Sequence, residues 1–188
     1  MRIIAGEFGG RNLIDFNGKD IRPTSEKARE AFFSIVRTKI RNCEFLDLFA
    51  GTGSMGFEAL SRGAKNVVMS DMSKQSCQII QKNADNLKCQ PEIYNIPAMY
   101  VLNKLSSLHR QFDIIFLDPP YRTTYGEEAA QIIADNRLLK DDGILVLEQG
   151  EAVKADAQFK GLTMYDKRKY GIAIFRFYKY TTEEALTE

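Results

Sequence analysis

At 188 residues, with 44% hydrophobic and 27% charged side chains, the chain has the length and composition of one globular domain with a substantial core. No apolar run approaches the roughly 20 residues that cross a bilayer, and the N-terminus has no apolar signal core. The three cysteines, Cys43, Cys77 and Cys89, show neither CxxC spacing nor histidine pairing, which argues against a disulfide framework or a metal site. A cytoplasmic protein with reduced thiols, no membrane attachment and no metal is therefore expected. Net charge is +1, but residues 1–41 hold nine Lys/Arg against five Asp/Glu, a net +4 that leaves −3 elsewhere. A basic end of this kind fits contact with a polyanion and fits a solvated charged face equally well.

Residues 2–16 alternate short apolar pairs, Ile3-Ile4 and Leu13-Ile14, around Gly6 and Gly9-Gly10, which predicts a small hairpin or two edge strands. Asn17-Gly18 marks a turn, and Thr24 or Ser25 can cap the helix that follows. Ala28, Ala31, Phe32, Ile35 and Val36 recur at helical spacing, predicting an amphipathic helix of about 14 residues. From residue 44 strands and helices alternate, the mark of a mostly parallel α/β sheet. Strands are predicted at 45–49, 66–71, 92–96, 112–117 and 144–148, with Asp141-Asp142-Gly143 as the turn before the last of these. Helices are predicted from the glycine turn to about Arg62 and at 74–87, 98–108 and 127–139. Segments 162–165 and 172–178 read as an antiparallel pair around Gly171. The expected organisation is an N-terminal extension (1–41), a main domain (42–180) and a polar tail (181–188).

Two stretches carry chemistry. In Asp47-Leu48-Phe49-Ala50-Gly51-Thr52-Gly53-Ser54-Met55-Gly56, glycines at a strand-to-helix turn let a ligand approach the backbone and the helix N-terminal amides. Asp71 follows 20 residues after Gly51, placed to bridge two ribose hydroxyls. That spacing admits NAD, FAD or S-adenosylmethionine. Asp47 favours the last, because a carboxylate repels a pyrophosphate and attracts a sulfonium or an α-amino group; its alternative role is a turn or capping acid.

The second stretch is Asp118-Pro119-Pro120-Tyr121, which ends the apolar run Phe112-Asp113-Ile114-Ile115-Phe116-Leu117. In an open α/β sheet ligands bind at this end of a strand. An exocyclic amine is a poor nucleophile because its lone pair is delocalised into the ring. A carboxylate oxygen of Asp118 and the Pro119 carbonyl could each accept one N–H and localise that lone pair, with the two prolines holding the turn rigid. Tyr121 offers a face for a splayed base, worth about 1–3 kcal/mol. Amino methylation of a base is the chemistry this turn suits.

The glycine turn, the Asp118–Tyr121 turn, the opening Met1-Arg2-Ile3-Ile4-Ala5-Gly6, Gly9-Gly10-Arg11, Arg22-Pro23-Thr24, the Glu58-to-Ala64 run and Tyr170-Gly171 together resemble the bacterial small-subunit rRNA guanine-N2 methyltransferase family. The resemblance implies a Rossmann-like class I methyltransferase fold: a seven-stranded, mostly parallel sheet with an antiparallel C-terminal strand, plus a small N-terminal hairpin and helix. It implies S-adenosyl-L-methionine as cofactor, and as partner one guanine of 16S rRNA in an assembled or nearly assembled small subunit. By the same resemblance Asp47, Gly51, Gly53, Asp71, Ala98 and Thr24 would serve the cofactor. Asp118, Pro119, Pro120 and Tyr121 would hold the guanine, and Arg2, Arg11 and Arg22 would face RNA. Two positions depart from the family pattern. Pro97 stands where an acidic residue usually meets the adenine amino group, leaving a backbone group or Asn95 to substitute, and Asp71 stands where Glu is common.

Other readings remain at this stage. An Asn in place of Asp118 would be typical of amino methyltransferases acting on DNA adenine or protein glutamine. A NAD-dependent oxidoreductase would need a proton-transfer residue, and the single histidine, His109, sits in a polar turn. Lys167-Arg168-Lys169 fits RNA phosphate and a solvated loop alike.

Overall fold

Runs such as Phe45-Leu46 and Ile114-Ile115-Phe116-Leu117 have no polar face, so both sides must be covered, which a sheet between two helical layers achieves. The computed structural model describes residues 1–16, 25–120, 123–150 and 157–181 and has this arrangement. The elements are α1 (Glu26–Ile35), β1 (Glu44–Asp47), α2 (Ser54–Ser61), β2 (Asn66–Ser70), α3 (Lys74–Leu87), β3 (Glu92–Tyr94), α4 (Ala98–Ser107), β4 (Phe112–Leu117), α5 (Tyr125–Asp135), β5 (Leu139–Gly150), β6 (Leu162–Tyr170) and β7 (Ala173–Tyr180). Seven strands form one sheet in the order β3-β2-β1-β4-β5-β7-β6. All neighbours are parallel except β7, which runs antiparallel to β5 and β6. The strand order reverses between β1 and β4, and the crevice of a Rossmann-like sheet opens at that point.

Helices α1, α2 and α3 cover one face around Phe45, Phe116, Phe175 and Phe177. Helices α4 and α5 cover the other around Leu46, Ile115, Leu117 and Leu147. Phe32 of α1 packs edge-on against Phe33, Phe116 and Phe175 at centroid distances of 4.9, 5.2 and 6.0 Å, so α1 shares the core of the sheet.

The N-terminal hairpin departs from expectation. Its pairing reduces to a single bridge, Arg2 to Asn12, with Ile3 N–H donating to Arg11 O (3.0 Å) and Gly10 N–H to Ile3 O (2.9 Å). Side chains of α2 and α3 take the backbone groups that a longer ladder would have used. The Glu58 carboxylate accepts from Ile4 and Ala5 N–H (2.8 and 3.1 Å), and Ser61 Oγ accepts from Phe8 N–H (2.9 Å). Helix α1 has 10 residues rather than about 14, capped by Ser25 Oγ accepting from Ala28 N–H at 3.1 Å. Beyond its C-cap Val36 the chain continues as a turn, in which Lys39 and Ile40 N–H both donate to Val36 O.

The expected turn at Asp141-Asp142-Gly143 is a bulge inside β5, where the register against β4 slips between Phe112 and Ile114. Helix α5 accordingly ends at Asp135, before the strand begins at Leu139. Strand β6 runs on through Asp166–Tyr170, so Lys167-Arg168-Lys169 lies on an exposed edge strand rather than in a loop. Among the described residues, no helix is long and apolar enough to cross a membrane, and no group of three His, Cys, Asp or Glu could hold a metal ion.

Candidate active site

The carboxyl ends of β1, β2 and β4 open into a cavity of about 810 Å³. Asp47 and Gly51 from the first turn, Asp71 from the second, Ala98 at the start of α4 and Asp118, Pro119 and Pro120 after β4 all line it. Parallel pairing of β1 with β4 sets Asp47 opposite Phe116, which brings the two predicted turns to one crevice.

Backbone conformation explains the glycine turn. Gly51 has φ +56° and Gly53, the residue preceding α2, has φ +82°, both in the left-handed region that side chains resist. A Cβ on Gly51 would meet nothing within 4 Å, since that side of the residue faces the cavity. Gly56 serves another purpose: a Cβ there would lie 2.6 Å from Met69 Cε, so the Met69 side chain would have to shift for α2 to pack as closely on β2.

Asp47 is buried (1% exposed), and its Oδ2 accepts from Gly56 N–H in the first turn of α2 at 3.1 Å. Burial pushes its carboxyl up to about 7, the nearby Asp71 charge adds to this, and the Gly56 hydrogen bond opposes it. Asp71 accepts from Gly51 N–H (2.9 Å) and Ser73 N–H (2.8 Å), one on each oxygen. Each carboxylate oxygen has a second lone-pair direction, so these bonds orient Asp71 without exhausting it.

At β4 the turn is braced from two sides. Pro119 is buried against α5, where Gly126 leaves room for its ring: a Cβ at 126 would lie 2.7 Å from Pro119 Cγ. Pro120 O accepts from Thr123 Oγ1 at 2.8 Å. Tyr121, Arg22 and Thr24 lie outside the described residues. Arg2 pairs with Glu26 (3.0 Å) on the surface. Arg11 donates to Asn86 O (2.5 Å), about 15 Å along α3 from the cavity-lining Ser76. Pro97 lines the cavity as the residue capping α4, whereas the Asn95 amide donates to the Asp71 and Met72 carbonyls and so braces the β2–α3 loop.

The lining also includes Asp15 and Phe16 from the N-terminal arm and Tyr125 at the start of α5, none of which sequence reasoning singled out. Among the described residues, every charged side chain of the lining is an acid: Asp15, Asp47, Asp71 and Asp118. Such a site attracts a cationic nucleoside and repels a dinucleotide pyrophosphate.

Comparison with known proteins identifies the family and the fold. Residues 1–179 match the family model described as conserved hypothetical protein 95. The ribosomal RNA small subunit methyltransferase D of Haemophilus influenzae is 35% identical over 181 residues, covering 95% of this chain and 93% of that protein. The protein of the same name from Escherichia coli is 34% identical over 149 residues, covering 79% and 74% respectively. The solved structure of Escherichia coli yhhF superposes with a TM-score of 0.83 at 29% identity, over 96% of this chain and 97% of that one. With matches of this extent along nearly its whole length, the chain belongs to the ribosomal RNA small subunit methyltransferase D family.

Proposed function

We propose that this protein methylates the exocyclic N2 amino group of a guanine in 16S rRNA of the small ribosomal subunit, with S-adenosylmethionine as donor. The observation that carries the reading is the acidic lining of one crevice that holds both the glycine turn and the Asp118–Pro119–Pro120 turn. The named relatives support rRNA as the substrate class, and the acid at 118 supports guanine, since amino methyltransferases acting on DNA adenine or protein glutamine typically carry Asn at that position.

The residues present fit the cofactor. Asp47 would meet its cationic end, Asp71 its ribose hydroxyls, and Gly51 would let its body approach the backbone. S-adenosylmethionine supplies, when bound, a methyl carbon activated by the adjacent sulfonium. The chain supplies position: Asp118 Oδ and the Pro119 carbonyl hold the amine by its two hydrogens, drawing the nitrogen lone pair out of conjugation with the ring and localising it towards the donor. The proton that the nitrogen must lose passes to the Asp118 carboxylate. Pre-orientation of this kind can account for about 7–11 kcal/mol of barrier lowering.

The test offers labelled S-adenosylmethionine to small subunits lacking the modification, to naked 16S rRNA, to DNA and to protein. Label confined to rRNA supports the proposal; label in DNA or protein contradicts it. Calorimetry with S-adenosylhomocysteine (SAH) and with NAD, run in parallel, is expected to show SAH binding alone.

Asp47 adds a pH dependence. Its folded-state pKa of about 7 lies above its ordinary value of 3.8, so the protonated form stabilises the ligand-free protein. That contribution is full below about 4 and is lost as pH rises through about 7. Thermal melts of the ligand-free protein should therefore fall across this window, and Asp47→Asn should flatten the fall. Affinity for the cationic donor should run the other way, rising as Asp47 ionises. A variant with the wild-type slope would show that Asp47 is not the group responsible.

A further inference from the structure

Asn83 lies on the inner face of α3 and is 1% exposed, where the helical pattern of Ile80, Ala84 and Leu87 would otherwise place an apolar side chain. Its amide spans two chain segments. Oδ1 accepts from Ile14 N–H at 2.7 Å, Nδ2 donates to Ile14 O at 3.0 Å, and Nδ2 also reaches Thr52 O at 3.5 Å. Both backbone polar groups of Ile14 are thus satisfied by one side chain, and the same side chain touches the turn that carries Gly51 and Gly53. Ile14 itself is 40% exposed, so burial of its side chain does little to hold the segment. Other polar anchors of the arm, Glu58, Ser61, Arg29 and the bond from Arg11 to Asn86 O, act on residues 2–11 and do not line the cavity. Immediately after Ile14 come Asp15 and Phe16, which do line it.

We propose that Asn83 is a positioning residue that clamps the N-terminal arm to the glycine turn, holding Asp15 and Phe16 as the outer wall of the cofactor site. This rests on the reading of the cavity as that site and goes beyond it. The arm is continuous with the basic N-terminal segment, so the wall is built from the part of the chain outside the strand–helix repeat. Loss of the clamp leaves the glycine turn and the Asp118 turn in place but removes an aromatic and an acid from the donor's surroundings. The effect therefore falls on donor binding and not on the transfer step.

The test titrates the full-length protein with SAH by calorimetry and measures donor KM and kcat separately. Asn83→Ala, which deletes about three hydrogen bonds, is expected to weaken SAH binding about tenfold or more and to raise donor KM similarly. Turnover at saturating donor should stay near wild type. Asn83→Asp, which sets a buried carboxylate oxygen against the Ile14 and Thr52 carbonyls, should weaken binding at least as much as Asn83→Ala. Phe16→Ala removes part of the wall while leaving every Asn83 bond intact. It should weaken SAH binding too, and its effect should be less than additive with that of Asn83→Ala. If Asn83→Ala only lowers the melting temperature, or Phe16→Ala folds and binds SAH as wild type does, the proposed role is overturned. Failure of the wild type to bind SAH would overturn the cofactor site itself, a result separate from either.

Discussion

Asp118→Ala should abolish most methyl transfer while leaving SAH binding near the wild-type value. Asp118 lies at the end of β4, on a turn fixed by the buried Pro119 ring and by the hydrogen bond from Thr123 Oγ1 to Pro120 O. Removing its side chain leaves the fold and the glycine turn intact and takes away one of the two acceptors that hold the amine. Loss of one preorganised hydrogen-bonding partner of a reacting group costs on the order of 10²–10³ in kcat. Asp118→Asn keeps one acceptor oxygen and the shape but cannot take a proton from the amine, so it should retain a small part of the activity. Single-turnover transfer at saturating donor isolates the effect. Full activity of Asp118→Ala would show that the amine is held elsewhere.

The largest effect on stability is expected at Glu58. Its carboxylate is fully buried and accepts from Ile4 N–H, Ala5 N–H and Arg62 Nε at 2.8, 3.1 and 2.7 Å. It also faces Arg29, which is 1% exposed, with Nε at 3.8 Å. Burial lowers the pKa of Arg29, and Glu58 is the main group that opposes that shift. Glu58→Ala would strand a buried guanidinium and two backbone N–H groups. Breaking a buried pair in this way costs about 3–5 kcal/mol, which in a chain of this length corresponds to a fall in Tm of roughly 10 °C. Glu58→Gln keeps one acceptor for the arm and should be milder. Chemical denaturation of both variants checks the order. A Glu58→Ala protein within about 1 kcal/mol of wild type would mean that the network contributes little beyond its own desolvation.

What could be read from the sequence follows from where local chemistry and tertiary structure agree. Strand β4 and helix α3 lie where their patterns predict, because an uninterrupted apolar run and a strong helical period leave the chain no competing arrangement. The Asp47 and Asp118 turns were legible because a glycine or proline turn after a buried strand is set by local geometry. Their meeting in one cavity followed from the β1–β4 pairing.

The misreadings share another cause. Residues 166–170 are polar, yet β7 offers them a ladder, and an edge strand tolerates charged side chains. Asp141-Asp142-Gly143 has turn composition but is spent on a bulge within β5. The N-terminal arm was least legible, since its course is set by Glu58, Ser61 and Asn83, polar residues that composition assigns to surfaces. A readable sign was present: Asn83 interrupts the apolar face of α3, and a buried amide there needs partners.

In the proposed function, the acidic turn after β4 presents the exocyclic amine of guanine to the donor. The most direct measurement is the identity of the methylated nucleoside recovered from digested 16S rRNA after reaction with small subunits. N2-methylguanosine, absent when Asp118→Ala replaces the wild type, is the predicted product. A methyl group on ribose, on a ring carbon, or on the amine of adenine or cytosine would contradict the claim.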